Sequence, residues 1–164
     1  MEHLNKLLNS FIYALRGIYY AFRYERNMRI HLVCMVYMYY FLFVYDYFSV
    51  SRTELAIILL ANALVLSSEL INTAIERAVD TATDSIKESA KISKDCAAGA
   101  VLISAIFAVG VGIAIFWQPK AFSALFRHYS EKPYMLIVFA ASVIIFTLFI
   151  FSYDILDGKK KNER

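Results

Sequence analysis

Apolar residues recur at helical spacing over the first two dozen positions: Leu4, Leu7, Leu8, Phe11, Ile12, Leu15, Ile18, Tyr19 and Phe22, with Lys6, Arg16 and Arg23 between them. Such a repeat predicts an amphipathic helix, and its basic polar side suits a membrane surface. Four uncharged runs follow, Leu32 to Tyr45, Leu55 to Ser68, Cys96 to Pro119 and Pro133 to Tyr153. The third and fourth approach or exceed the roughly 20 apolar residues that cross a bilayer. The first two reach that length only by taking in flanking polar residues, His31 and Asp46 in one case, Glu69 and Asn72 in the other. The pattern predicts an all-α membrane protein: a surface helix over 1–29, a three-span core over 30–118, and a fourth span with a basic tail over 119–164.

The second run does not end cleanly. It passes into Ser67-Ser68-Glu69-Leu70-Ile71-Asn72-Thr73-Ala74-Ile75-Glu76-Arg77-Ala78-Val79-Asp80, where Glu69, Asn72, Glu76 and Asp80 follow at steps of three, four and four. On a helix these four share one face, and the stripe rises roughly 16 Å, from within the hydrocarbon to its boundary. An ionisable group inside a span is a functional site by default. Composition agrees with the membrane class, since 60% of the 164 residues are hydrophobic and the mean hydropathy is +0.53, too apolar for an ordinary soluble domain.

Net charge is only +3, so its distribution matters more than its sum. Arg52, Lys120, Arg127 and Lys132 flank one side of the expected spans, and the other thirteen of the 17 Lys and Arg flank the opposite side. By the positive-inside rule both termini and the 81–95 connection are cytoplasmic. That connection, rich in Ser, Thr and charge, reads as partly helical around Ile86 to Ile92. Cys34 and Cys96 read as small packing residues, and no export signal is visible. Tyr37, Tyr39, Tyr40, Tyr45 and Tyr47 suit the outer interface, and Ala97, Ala98, Gly99, Ala100, Gly110 and Gly112 suit close helix packing. Glu25 and Arg29, four apart, can pair on a helix surface, and His31 reads as an interfacial hydrogen-bonding residue.

Acids and a base gather at one depth: Glu25 before the first span, Glu76 at the end of the second, Lys94 before the third. Carboxylates with substrate phosphates are how Mg²⁺ is usually held, and a Lys neutralises charge on a transferred phosphoryl group. Glu69, deeper and poorly hydrated, suits a base toward an alcohol lying in the membrane. Spacing alone equally allows Glu69, Asn72 and Glu76 to join helices by hydrogen bonds. A reading from another class is a four-span transporter or channel subunit with Glu69 as its ion site, although neither a repeat nor a broken helix is evident.

The stretch Glu69 to Asp80, together with Lys91-Ile92-Ser93-Lys94-Asp95-Cys96-Ala97-Ala98-Gly99-Ala100-Val101-Leu102, resembles the small bacterial integral-membrane diacylglycerol and undecaprenol kinases. Ala14-Leu15-Arg16-Gly17 and Glu25-Arg26-Asn27-Met28-Arg29-Ile30-His31-Leu32 resemble that family's N-terminal part, in its Gram-positive undecaprenol kinase form. The resemblance covers about residues 8 to 118 and implies a homotrimer in the bacterial cytoplasmic membrane that phosphorylates a lipid hydroxyl with MgATP at the inner face. It implies Glu69 as base, Asn72 as the residue that positions Glu69 or the phosphate, and Glu25 and Glu76 as Mg²⁺ ligands. Lys94 would contact the phosphates, Asp80 and Asp95 would hold the nucleotide, and Tyr13 would lie near it. A phosphate-binding Gly-rich loop is absent, as the resemblance requires. The fourth span lies beyond the family core, and the 81–92 loop departs from the enterobacterial members, so base contacts there stay unassigned.

Overall fold

Helices make up nearly all of the 2–82 and 87–162 segments that the computed structural model describes: α1 (Glu2–Tyr24), α2 (Arg26–Phe43), α3 (Arg52–Ala82), α4 (Glu88–Phe116), α5 (Pro119–Glu131) and α6 (Tyr134–Asn162). Among the described residues there is no strand, so the all-α architecture holds. Helices α3, α4 and α6 are long and apolar enough to cross a membrane. Helix α2 has 18 residues and opens with Arg26 and Arg29. Its uncharged part from Leu32 rises only about 18 Å, short of a full hydrocarbon crossing. Of the 81–95 connection, positions 83–86 fall outside the described residues, and so does Arg164 in the tail.

Helix α3 starts at a capping box. The Ser51 N–H donates to Glu54 Oε2 at 2.8 Å, and the Glu54 N–H donates to Ser51 Oγ at 3.2 Å, which satisfies two otherwise free backbone donors. The helix then continues without Gly or Pro for 31 residues and packs along α4 as an antiparallel hairpin, the most extensive contact in the chain. Ile58, Val65, Glu69 and Thr73 are buried on one side of that hairpin, with Ala97 and Val101 on the other. The hydroxyls of Ser68 and Ser104 bridge it at 2.9 Å. Large apolar side chains such as Phe107, Ile137 and Ile145 remain more than half exposed, as expected where the surrounding solvent is lipid.

Polar contacts define two ends. At one, Gln118 at the end of α4 binds the main chain of Ser49 through both amide atoms, at 3.1 and 2.9 Å. Tyr47 Oη also meets His128 Nδ1 of α5 there, at 3.0 Å. At the other, Arg29 near the start of α2 donates from Nε to the Ile150 carbonyl of α6 at 2.9 Å. Helix α2 therefore runs between the same two ends as α3, α4 and α6. Its tyrosines do more than line an interface: Tyr39 Oη accepts from Asn62 Nδ2 of α3 at 2.8 Å, and Tyr37 Oη meets Ser142 Oγ of α6 at 2.9 Å.

Four sequence expectations change. The first helix breaks at Glu25 and not after Arg29, because Glu25 adopts extended φ −94 and ψ 120 as the N-cap of α2. The 119–132 segment, grouped with the fourth span and tail in the sequence, is a separate helix, α5; Pro119 ends α4 but also sits in the first turn of the next helix, where its fixed φ and missing N–H fit. The Glu25–Arg29 pairing gives way to other partners, since the Arg29 guanidinium turns to the Arg23 and Ile150 carbonyls. Finally, a Cβ at Gly99, Gly110 or Gly112 would meet nothing within 4 Å, so these glycines serve no close helix approach within the chain.

Candidate functional site

Glu69 is 2% exposed and lies where α3 passes α2 and α4. Its Oε1 is 3.4 Å from His31 Nε2 on α2 and has no hydrogen-bond partner of good geometry. One helical turn on, Asn72 donates from Nδ2 to Glu76 Oε1 at 2.9 Å, and its own Oδ1 is buried without a partner. These side chains line a cavity of about 320 Å³ with Asn27 and Ile30 of α2 and Ala98, Val101, Leu102 and Ala105 of α4. Small residues on α4 thus leave the space into which the α3 stripe points.

Asp80 continues the stripe one turn beyond Glu76, and its carboxylate pairs with Lys94 Nζ. Lys94 stands four residues before Ala98 on α4, so by helix register the pair sits one turn above the cavity, at its mouth. Asp95, next to it, is exposed. Lys94, Asp80 and Asp95 are not among the residues lining the cavity; they stand at its rim.

Glu25 approaches from the α1–α2 elbow. Although it occupies an N-cap position, its side chain makes no capping bond; instead Oε1 lies 3.9 Å from Arg77 Nη2. Burial raises the pKa of the Glu25 carboxyl above its ordinary 4.5, and the nearby Glu76 raises it further, with Glu69 adding to the effect; Arg77 and Arg29 pull the other way. An elevated carboxyl beside a second carboxylate marks a spot short of positive charge.

Tyr13 lines a separate cavity of about 470 Å³ between α1 and α3, with Ala14, Gly17, Tyr20, Thr73 and Arg77. At Gly17 a Cβ would meet nothing, and the Arg77 guanidinium lies over the Tyr20 ring, 5.2 Å from its centroid. The predicted residues therefore fall into three groups: Glu69, Asn72 and Glu76 in one cavity, Tyr13 in another, and the Asp80–Lys94 pair with Asp95 at the rim. Glu25 and Arg77 stand between the two cavities. His31, which the sequence marks only as an interfacial hydrogen-bonding residue, and Arg77, which it does not mark, both stand at the site. The one signal for His31 was a titratable ring at the start of an apolar run, and that is equally the signature of an interfacial residue.

The donor chemistry suits Mg²⁺. Two carboxylates, Glu25 and Glu76, with the unpartnered Asn72 Oδ1, are oxygen donors of the hard kind this ion takes. Among the described residues no three His, Cys, Asp or Glu converge to hold a metal unaided, so further ligands would have to come from water or phosphate.

Residues 12–116 match the family described as prokaryotic diacylglycerol kinase, a match that ends at the last residue of α4 and leaves α5 and α6 outside. A diacylglycerol kinase of Synechocystis sp. is 44% identical over 114 residues, 69% of this chain and 63% of that protein. An undecaprenol kinase of Bacillus subtilis is 41% identical over 117 residues, 70% of this chain and 91% of that protein. The chain thus spans less than two thirds of the first relative and most of the second. No solved structure matches. With the family match running over most of the chain and through every residue of the α3 stripe, the protein is a member of the prokaryotic diacylglycerol kinase family.

Proposed function

We propose that the protein is a membrane lipid kinase that transfers the γ-phosphate of ATP to a lipid hydroxyl, with undecaprenol favoured over diacylglycerol as acceptor. The observation that carries this reading is the buried Glu69 carboxylate, with an unpartnered oxygen, in a cavity shared with Asn72 and Glu76. The preference for undecaprenol rests on the resemblance of Glu25 to Leu32 to the undecaprenol kinase form of the family.

In this reading Glu69 accepts the proton of the lipid hydroxyl as its oxygen bonds to the γ-phosphorus and the bond to the ADP oxygen breaks. Burial holds the carboxylate clear of water and in reach of an alcohol that never leaves the bilayer. Asn72, fixed by its bond to Glu76, lines the cavity and keeps a buried carbonyl oxygen without a partner. Glu25 and Glu76 would hold Mg²⁺, which would supply neutralisation of charge on the transferred group. Tyr13 and Gly17 border the space for the nucleoside, and Arg77 stands between that space and Glu25. Lys94 contacts the phosphates by exchanging Asp80 for them, and Asp80 and Asp95 help to hold the nucleotide. The subunit is one of a homotrimer in the bacterial cytoplasmic membrane, α1 lies on the inner leaflet, four helices cross, and both termini share the cytoplasmic face with the site.

Purified protein in vesicles with γ-labelled ATP and either undecaprenol or diacylglycerol, with and without Mg²⁺, tests this. Mg²⁺-dependent labelling of undecaprenol ahead of diacylglycerol is expected. Labelling of neither lipid removes the kinase reading and leaves Glu69 as a transport site.

A further inference from the structure

A base that takes a proton at every turnover must also lose it, and Glu69 is badly placed to do so alone. At 2% exposure it has almost no contact with solvent. Its neighbours on α3 offer no exit: the Asn72 amide is not titratable and donates to Glu76, and the Thr73 hydroxyl donates to the Glu69 main-chain carbonyl at 3.0 Å. Glu76 is seven residues away, roughly 10 Å along the axis. On the facing helix, α4 presents only Ala98, Val101, Leu102 and Ala105 to the cavity. What remains is His31, its Nε2 3.4 Å from the unpartnered Oε1, with a side chain 21% exposed. The ring both touches Glu69 and meets the outside.

We propose that His31 is the proton outlet of Glu69: a positioning and proton-carrying residue that restores the base after each transfer. This rests on the kinase reading above. After the hydroxyl proton has moved to Glu69, the carboxylic acid passes it to Nε2 of the neutral imidazole while Nδ1 gives its own proton to water at the cavity mouth. The carboxylate is restored, the ring ends neutral in its other tautomer and no electron leaves the site. The ring needs only to exchange tautomers before the next cycle. A separation of 3.4 Å is long for proton transfer, and such contacts commonly tighten when substrate fills a site. The ring shares its cavity with Glu69 and Glu76 of α3; at the elbow Glu25 lies beside Arg77 of α3, and Arg29, two residues earlier on α2, turns toward the Arg23 and Ile150 carbonyls.

Two variants separate carrying a proton from merely touching Glu69. His31→Gln keeps a hydrogen-bond donor beside Oε1 but cannot relay, and His31→Ala opens a gap that free imidazole can enter. With the full chain in vesicles, His31→Gln should lower turnover roughly tenfold or more while the KM values for MgATP and lipid stay within about twofold. His31→Ala should regain activity on addition of imidazole, in proportion to the uncharged form as pH is varied. Wild-type turnover in the Gln variant, or a loss in the Ala variant that imidazole leaves unchanged, overturns the proposal and leaves the kinase reading standing. A wild-type protein that labels no lipid overturns both.

Discussion

Replacing Arg29 by Met tests how the sixth helix is held to the family core. Arg29 is 1% exposed, and its guanidinium reaches three elements: it is carried by α2, donates from Nη1 to the Arg23 carbonyl at the end of α1 at 2.8 Å, and from Nε to the Ile150 carbonyl of α6 at 2.9 Å. Hydrogen bonds from a charged donor contribute about 1.5–3 kcal/mol each. Two of them give a gross loss of about 3–6 kcal/mol. Against this, Met removes a buried charge whose Nη2 has no partner, and relief of that desolvation returns part of the cost. A net loss of about 2–3 kcal/mol follows, a shift of roughly 30- to 150-fold in the equilibrium between docked and undocked α6. Hydrogen exchange in detergent micelles, followed by mass spectrometry, reads this shift directly. Exchange should rise by that order around Ile150 of α6 and across the 22–31 elbow while the α3–α4 hairpin keeps its protection, because Arg29 bonds to neither of its helices. Tyr37→Phe, which removes the neutral Tyr37–Ser142 contact, should cost only about 1 kcal/mol. If Arg29→Met leaves elbow exchange at the wild-type rate, the guanidinium does not hold α6 and the energetic argument fails.

Glu69→Gln should abolish lipid phosphorylation while ATP binding, measured by equilibrium dialysis, stays within about threefold, since an isosteric amide preserves shape but cannot accept the proton; retained turnover would remove Glu69 as base. Glu76→Gln should raise the Mg²⁺ concentration needed for half-maximal activity by about tenfold or more, as one of two carboxylate ligands becomes neutral; an unchanged Mg²⁺ titration counts against the ligand assignment. The raised pKa of Glu25 gives a pH signature. The folded state binds its proton more readily than the unfolded chain, so this group's contribution to stability is highest below the unfolded value of 4.5 and declines as pH rises toward the folded value. Mg²⁺ binding should change in the opposite sense, weakening on acidification at a higher pH than an unperturbed glutamate would give, and Glu25→Gln should abolish that limb of the binding curve. At the exposed rim, Asp80→Asn should change thermal stability by less than about 1 kcal/mol while altering the KM for ATP.

Periodicity in the chain was enough to specify the helices and the polar stripe. The 3.6-residue repeat before Glu25 and the uncharged runs after it define α1, α3, α4 and α6 because local backbone bonding and exclusion of polar groups from lipid leave a helix as the only economical form. The steps from Glu69 to Asp80 put four polar groups on one face by geometry alone, and the motif around them carried the family. Helix α5 was hidden because Pro119 signals both a helix end and a helix start, and residue types cannot say which will dominate.

What the sequence could not supply was the set of distances between elements. That Glu25 turns to Arg77 and not to Arg29 depends on where α3 passes the elbow, and that His31 meets Glu69 depends on α2 lying across the stripe. The acids and base that the sequence gathers at one depth, Glu25, Glu76 and Lys94, part between the elbow, the cavity and its rim, because helices fix axial height locally, whereas the angle at which each face points is settled only when the helices pack. Side-chain register comes from the chain, and partnership comes from the tertiary fold.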